Sequence, residues 1–476
     1  MPAGRIPPSR FVSPALLAAS FAATGLIVLA EPSMGPYAVL AVLLVAFGAL
    51  AVVVALGSLR RWLGVGTVLV LSGGLLLGSA LAPARSSDDL WAYGMYGRIV
   101  VHHHENPYVH PPSNYPHDPL LEHVNPYWRD GTARYGPVFI GVTAAVALVT
   151  GDHPLPIRLA YQLLAAIAVF LALLLIARRT RSAAAVAIVG LNPVIAYMVV
   201  NAGHNDALVG LGVLVGVLLA SRDRRTTATL VFAAAALIKA TAGLALLAYL
   251  AWLAYRRGPR ALVRPVIVAV AVTLPMLLLA GLRDVINPLL EARETILPHS
   301  PWNLLVPGGL RNAVGYGYEE LGSQAHLPTY ALVTVLVVAA IFVASRLKEP
   351  TPLFAIAGAV LAYLFASVYT APWFAAWVLP LLALRWRWRV SLYAIAFFAV
   401  LMIDDRFGNA VYPQVFLREH TFQVLLANWI NTLAMLAAIG GIVVMLWYRR
   451  PDPSGDAPPE GDEPRVAARA AVDGAR

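Results

Sequence analysis

The run PVFIGVTAAVALVT, residues 137–150, is apolar enough to enter a bilayer, and whether it crosses sets the orientation of every loop that follows. Apolar stretches long enough for roughly 30 Å of hydrocarbon recur on both sides of it. Before it come 13–31, 37–57 and 62–82; after it come 157–177, 183–200, 205–220, 226–238, 241–255, 262–282, 329–345, 351–368, 373–384, 390–404 and 422–447. With the N-terminus inside and 137–150 left out of the count, alternation puts every basic cluster on the cytoplasmic side. These are Arg60 and Arg61, RRTR at 178–181, RDRR at 222–225, Arg256 to Arg264, Arg346 with Lys348, RWRWR at 385–389, and Arg449 with Arg450. That is the positive-inside pattern. Residues 137–150 are therefore expected to form a helix lying at, or dipping into, the outer interface.

The composition agrees. Of 476 residues, 59% are hydrophobic and 13% charged, with a mean hydropathy of +0.71, a balance foreign to soluble domains. The expected fold is an all-α polytopic membrane protein of about 13–14 transmembrane helices, one transmembrane domain covering residues 1–449. Segments 83–156, 283–328 and 405–421 fall outside, and 450–476, Pro-rich and charged, is expected to be a disordered cytoplasmic tail. Residues 1–30 read as an uncleaved first span rather than a signal peptide, because further spans follow at once. The formal charge of +10 sits in short loops, which argues for the plasma membrane and against a nucleic-acid partner. Absence of cysteine excludes thiolate chemistry and disulfides. Runs 226–238 and 373–384 are too short for a full crossing at 1.5 Å per residue and point to a cavity that thins the protein there.

The largest outer loop opens with RSSDDLWAYGMYGRIVVHHHENPY, residues 85–108. Ser86 and Ser87 read as an N-cap, with Asp88 and Asp89 in the first turn, where the helix dipole favours negative charge. Helical spacing gives Asp89, Tyr93 and Tyr96 one face and Trp91, Met95 and Ile99 another that could rest on lipid. Dipole compensation in an interfacial helix accounts for these features as well as chemistry does. HHHE at 102–105 suggests a metal, but adjacent histidines on a helix point in different directions. No metal site is assigned and no cofactor is identified, a divalent metal being the disfavoured alternative.

Further on, Trp128, Arg134 and Tyr135 lie in VNPYWRDGTARYGPVF, Arg158 opens the next span, and His204, Asn205 and Asp206 sit at an outer span end. An acid there faces a cavity or a partner unless it only caps a helix. Lys239, in AAAALIKATAGLALL, sits at a hairpin apex beneath the large loop, where an anion would suit it better than snorkelling.

In order and spacing, these stretches resemble the GT-C glycosyltransferases. More narrowly, DDLWAYGMYGR with ENPY, VNPYWRDGTARYGPVF, LNPVIAYMVVNAGHNDALVGLGVLVGVLLA, AAAALIKATAGLALL and YTAPWFAAWVLPLLAL (369–384) are similar to the actinobacterial polyprenol-phosphate-mannose-dependent α-(1→6)-mannosyltransferases and the related glycosyltransferase family 87. The resemblance covers residues 10–447 or so. It implies a GT-C-like bundle whose first large extracytoplasmic loop carries amphipathic helices and a catalytic aspartate. The matching position is Asp89, with Asp88 as its neighbour. It also implies a polyprenyl-phosphate sugar donor, a lipid-anchored glycan acceptor such as a growing mannan of the cell envelope, and transfer at the outer face. In that scheme Lys239, Arg134 and Arg158 would bind the donor phosphate, while Tyr93, Tyr96, Trp128, Tyr135, His204, Asn205 and Asp206 would line the substrate site. HHHE and the absence of proline after Lys239 depart from the family pattern. A transferase for arabinose or glucose is the neighbouring alternative. A lipid-linked sugar flippase is the distant one, and the expected repeated half and paired charges deep in the spans are not seen.

Overall fold

The computed structural model describes residues 9–56, 64–292, 351–367, 370–386 and 389–408, with isolated positions between 334 and 341. The expected spans 329–345 and 422–447, the loop 405–421 beyond residue 408, most of 283–328 and the tail 450–476 lie outside the described residues.

Every regular element among these residues is helical, and the chain is an all-α membrane protein. In chain order the helices are α1 (Ser9–Ala30), α2 (Pro36–Leu56), α3 (Val65–Leu81), α4 (Asp89–Val101), α5 (Pro126–Arg129), α6 (Pro137–Thr150), α7 (Pro154–Thr180) and α8 (Ala183–Gly190). They continue as α9 (Asp206–Ala220), α10 (Arg225–Ile238), α11 (Gly243–Arg257), α12 (Val263–Ala280), α13 (Leu282–Ala292), α14 (Leu353–Ala366), α15 (Ala375–Ala383) and α16 (Arg389–Gly408). Among the described residues three helical stretches are long and apolar enough to cross a bilayer alone: Tyr37–Val54, Pro154–Thr180 and Pro259–Ala280. The stretch 183–200, expected as one span, is a broken one: α8 and a π-helical segment, Val194–Asn201, meet at 48°. Pro193 brings no N–H to the break, and Asn192 Oδ1 accepts the Val194 N–H at 3.0 Å to turn the chain.

Residues 83–156, expected as an outer loop, fold into a packed layer. Leu90, Tyr93, Met95, Tyr96, Ile99, Leu120, Phe139, Ile140, Ile157 and Tyr161 form an apolar core distinct from that of the bundle. Inside it α4 and α6 run side by side in one direction, Tyr93 against Phe139 and Gly97 against Thr143. A Cβ on Gly97 would stand 2.1 Å from the Thr143 carbonyl oxygen, so only glycine permits the approach. Both ends of α6 are tied into this layer. The Tyr108 hydroxyl donates to the Tyr135 carbonyl at 2.7 Å, and Arg98 Nη1 donates to Gly151 O at 3.1 Å and to Asp152 at 2.5 Å.

Two expectations about α4 need correction. Its N-cap is Asp88, not Ser86 or Ser87; Ser87 Oγ accepts the Asp89 N–H instead, and Ser86 donates to Tyr197 O. Met95 and Ile99 do not rest on lipid but are fully buried in the apolar core of the loop layer. The apolar surface left open falls on α6, at Leu148 and Val149.

The start of the layer is clamped to the bundle. Asn201 Nδ2 donates to Ser79 O and Pro83 O, its Oδ1 accepts the Arg85 N–H, and Gln162 Nε2 bridges Asn201 O and Ala82 O. Buried Glu31 takes Arg406 Nε at 2.8 Å and the Tyr197 hydroxyl, joining α1, the π segment and α16 behind Ser86.

Candidate active site

Asp89, first residue of α4, projects toward the turn before α9. Its side chain is 15% exposed, whereas Asp88 is exposed and holds Asn125 Nδ2 at 3.1 Å. Around Asp89 Oδ2 stand His204 Nε2 at 3.4 Å and the Tyr93 hydroxyl, one helical turn on, at 3.4 Å. His204 is fully buried. Its Nδ1 lies 2.6 Å from Met198 O, a carbonyl that can only accept, so Nδ1 carries a proton, and Nε2 faces Asp89 and Ser87 Oγ (3.2 Å). Trp373 covers the imidazole with ring centroids 4.4 Å apart.

Burial pushes the Asp89 carboxyl up, but the hydrogen bond and charge of His204, the charge of Lys239 and the Ser87 hydroxyl outweigh it. The group is held below the ordinary value of 3.8. Burial drives the Tyr93 hydroxyl well above its usual range, with Tyr135, Asp89 and Asp206 adding to it, so it stays a donor.

The second half of the site is an ion pair. Lys239 caps α10 and donates to both carboxylate oxygens of Asp206, at 2.9 and 3.1 Å; the aspartate is fully buried and the lysine side chain 17% exposed. Aromatic rings enclose the ammonium: Phe374 at 4.8 Å, Trp377 at 5.3 Å and Tyr135 at 6.0 Å. Backbone contact fixes the arrangement, since the Gly136 N–H donates to Ile238 O at 3.0 Å and a Cβ on Gly136 would meet Leu237 O at 2.0 Å. The two short apolar runs thus meet here, α10 ending at Lys239 and α15 preceded by the Pro372–Phe374 turn.

Other expected residues stand apart. Tyr96 is buried and its hydroxyl donates to the Gly131 or Thr132 carbonyl, so neither its ring nor that of buried Tyr93 is open for stacking on a sugar. Arg134 lies over Trp128 at 5.5 Å, both partly exposed. Arg158 is turned to the end of α3, with Nη2 3.4 Å from Leu81 O. Asn205 is buried with both amide atoms lacking a protein partner, as are Trp377 Nε1 and the Tyr161 hydroxyl. The histidine run is a structural turn: His103 stacks on Tyr115 and reaches Asp118 at 2.9 Å, the acid that also takes Arg98. Among the described residues no three His, Asp or Glu side chains converge as a metal site would require.

A family model described as alpha-(1->6)-mannopyranosyltransferase, N-terminal domain, matches residues 12–256, a stretch that holds Asp89, His204, Asp206 and Lys239. The chain belongs to the alpha-(1->6)-mannopyranosyltransferase family. Alpha-(1->6)-mannopyranosyltransferase A of Mycobacterium tuberculosis is 27% identical over 448 residues, covering 84% of this chain and 82% of that protein. The protein of the same name from Corynebacterium glutamicum is 32% identical over 166 residues, 34% of this chain and 33% of its own. For this mannosyltransferase-family chain, Trp373, Phe374 and Trp377 lie beyond the matched region, yet they complete the site. On sequence alone their motif, YTAPWFAAW, carries no assigned role. The signal for them is three large aromatics beside a proline at the start of a short apolar run.

Proposed function

We propose that the chain transfers mannose from a polyprenyl-phosphate carrier to a hydroxyl of a lipid-anchored glycan at the outer membrane face, by one displacement with inversion. The observation that supports this most directly is the pairing of Asp89 and Lys239 across one small site, an ionised carboxylate held by His204 beside a caged ammonium. In the step, the acceptor O–H breaks, its oxygen bonds to the anomeric carbon, and the carbon–oxygen bond to phosphate breaks with both electrons leaving on phosphate. The proton goes to the Asp89 carboxylate. Lys239 stabilises the departing phosphate with the N–H that Asp206 leaves free, Asp206 offsetting the cost of keeping the cation where little water reaches it. Arg134, at the loop surface, is the second cation for that charge, and Trp128, beneath its guanidinium, is the aromatic suited to a sugar face. Asn205 and Trp377 Nε1, lacking protein partners, are groups that substrate hydroxyls or phosphate oxygens would satisfy.

Membranes carrying Asp89→Asn should lose about 10²- to 10⁴-fold of mannosyl transfer from radiolabelled polyprenyl-phosphate mannose, while Asp88→Asn keeps most of it. Full activity in the Asp89 variant removes the base. A panel of polyprenyl-phosphate sugars tests the donor: preference for arabinose or glucose overturns mannose.

A further inference from the structure

At the other end of α7 lies a second junction of charge and apolar surface. This helix starts beside the outer-loop layer and runs 27 residues, about 40 Å, so its last turn is at the membrane face opposite Asp89. There α7 and α9 enclose a cavity of about 230 Å³. Its apolar wall is Leu175, Val215, Leu218 and Leu219, and its charged residues are Arg178, Arg179 and Arg222. The arginines follow the apolar residues by about one turn on each helix, so the leucines lie at hydrocarbon depth and the guanidiniums at headgroup level. The nearest acid in sequence, Asp223, is taken by Arg225, with Nε at 2.8 Å and Nη2 at 3.2 Å. None of the three arginines has an acidic partner among the described residues.

Cations at helix C-termini offset the helix dipole, and the positive-inside pattern brings arginines to this face. Neither effect requires arginines of two helices to line one cavity, nor an apolar wall beside them. We propose that this cavity seats an anionic phospholipid of the leaflet opposite Asp89, its phosphodiester on the arginines and its first acyl carbons against Leu175, Leu218 and Leu219. Basic clefts between transmembrane helices suit such headgroups. The apolar wall favours a lipid over free phosphate, and over the acidic but almost apolar-free stretch 452–463 of the tail.

The test is native mass spectrometry of the full chain released from neutral detergent. Dioleoyl phosphatidylglycerol is titrated against dioleoyl phosphatidylcholine. Wild type should retain phosphatidylglycerol at least about tenfold better than phosphatidylcholine. Arg178→Gln/Arg179→Gln/Arg222→Gln should lose that preference, about fivefold per arginine at most. The lysine version of the same triple variant should keep most of it, and Arg260→Gln/Arg264→Gln, on the same face outside the cavity, should keep it all. Equal retention in wild type and the glutamine variant overturns the site, and equal loss in the Arg260/Arg264 control reduces it to general surface charge. Displacement of the lipid by millimolar inorganic phosphate assigns the arginines to a free anion instead. If the triple glutamine variant does not survive purification, Arg222→Gln alone is read against wild type in the same titration, with unchanged retention counting against the proposal.

Discussion

At Asp89 burial and its neighbours act in opposite directions. Burial raises the carboxyl; His204, Lys239 and Ser87 lower it, and they prevail. A depressed carboxyl contributes stability that is present above its ordinary value and lost as pH falls through the folded one, so acid weakens this contact only below about pH 4. The same sign governs activity. The acid limb of kcat/KM should lie low, with rates flat from pH 8 to about 5. In His204→Gln the lowering influence of the imidazole is gone while burial stays, so the limb should move to higher pH, which rate measurements across that range would detect. An unmoved limb would mean that His204 only packs. Lys239 offers a second test at this scale. Lys239→Met strands a buried carboxylate and should destabilise by about 3–5 kcal/mol, and adding Asp206→Asn should recover the melting temperature without recovering transfer. Recovery of both would make the pair purely structural.

Among elements, the contact of α4 with α6 determines where Asp89 sits. Gly97 lies against the Thr143 carbonyl, and any side chain there wedges the helices apart. Gly97→Ala should cost about 1–3 kcal/mol from overpacking and lower transfer, although it removes no chemical group. Gly141→Ala, on the open side of α6 with nothing near its Cβ position, should leave both the melting temperature and the activity at wild-type levels. The apolar run marks α6 in full, since 137–150 is helical from end to end, whereas α4 starts later than its serines suggest. Periodicity does not say which faces of α4 are covered, because Met95 and Ile99 look the same against lipid as inside an apolar core. The π segment was equally hidden, although Asn192-Pro193 was readable as a break.

For the whole molecule, the decisive question is the side on which each end of α6 emerges. The chain has no cysteine, so single cysteines report without background. Asp130→Cys and His153→Cys, before and after α6 and both exposed, should react with a membrane-impermeant maleimide from one side of intact cells, and Arg179→Cys only after permeabilisation. Labelling of residues 130 and 153 from opposite sides would make 137–150 a span and invert the order of the loops that follow. The arginine pattern and the ties from both ends of α6 into the loop layer argue for the first result.

The membrane class and the helical elements follow from sequence, because hydropathy and helical period are local properties of the chain; the cost of charge near a span marks Asp206 and Lys239 as candidates, and the family resemblance marks Asp89. The pairing of Lys239 with Asp206, the imidazole on Asp89, the aromatic cage from residues 373–377 and the burial of Tyr93 and Tyr96 come only from tertiary structure. Each joins residues separated by tens to hundreds of positions, and which helix covers which side chain depends on packing that no local pattern records.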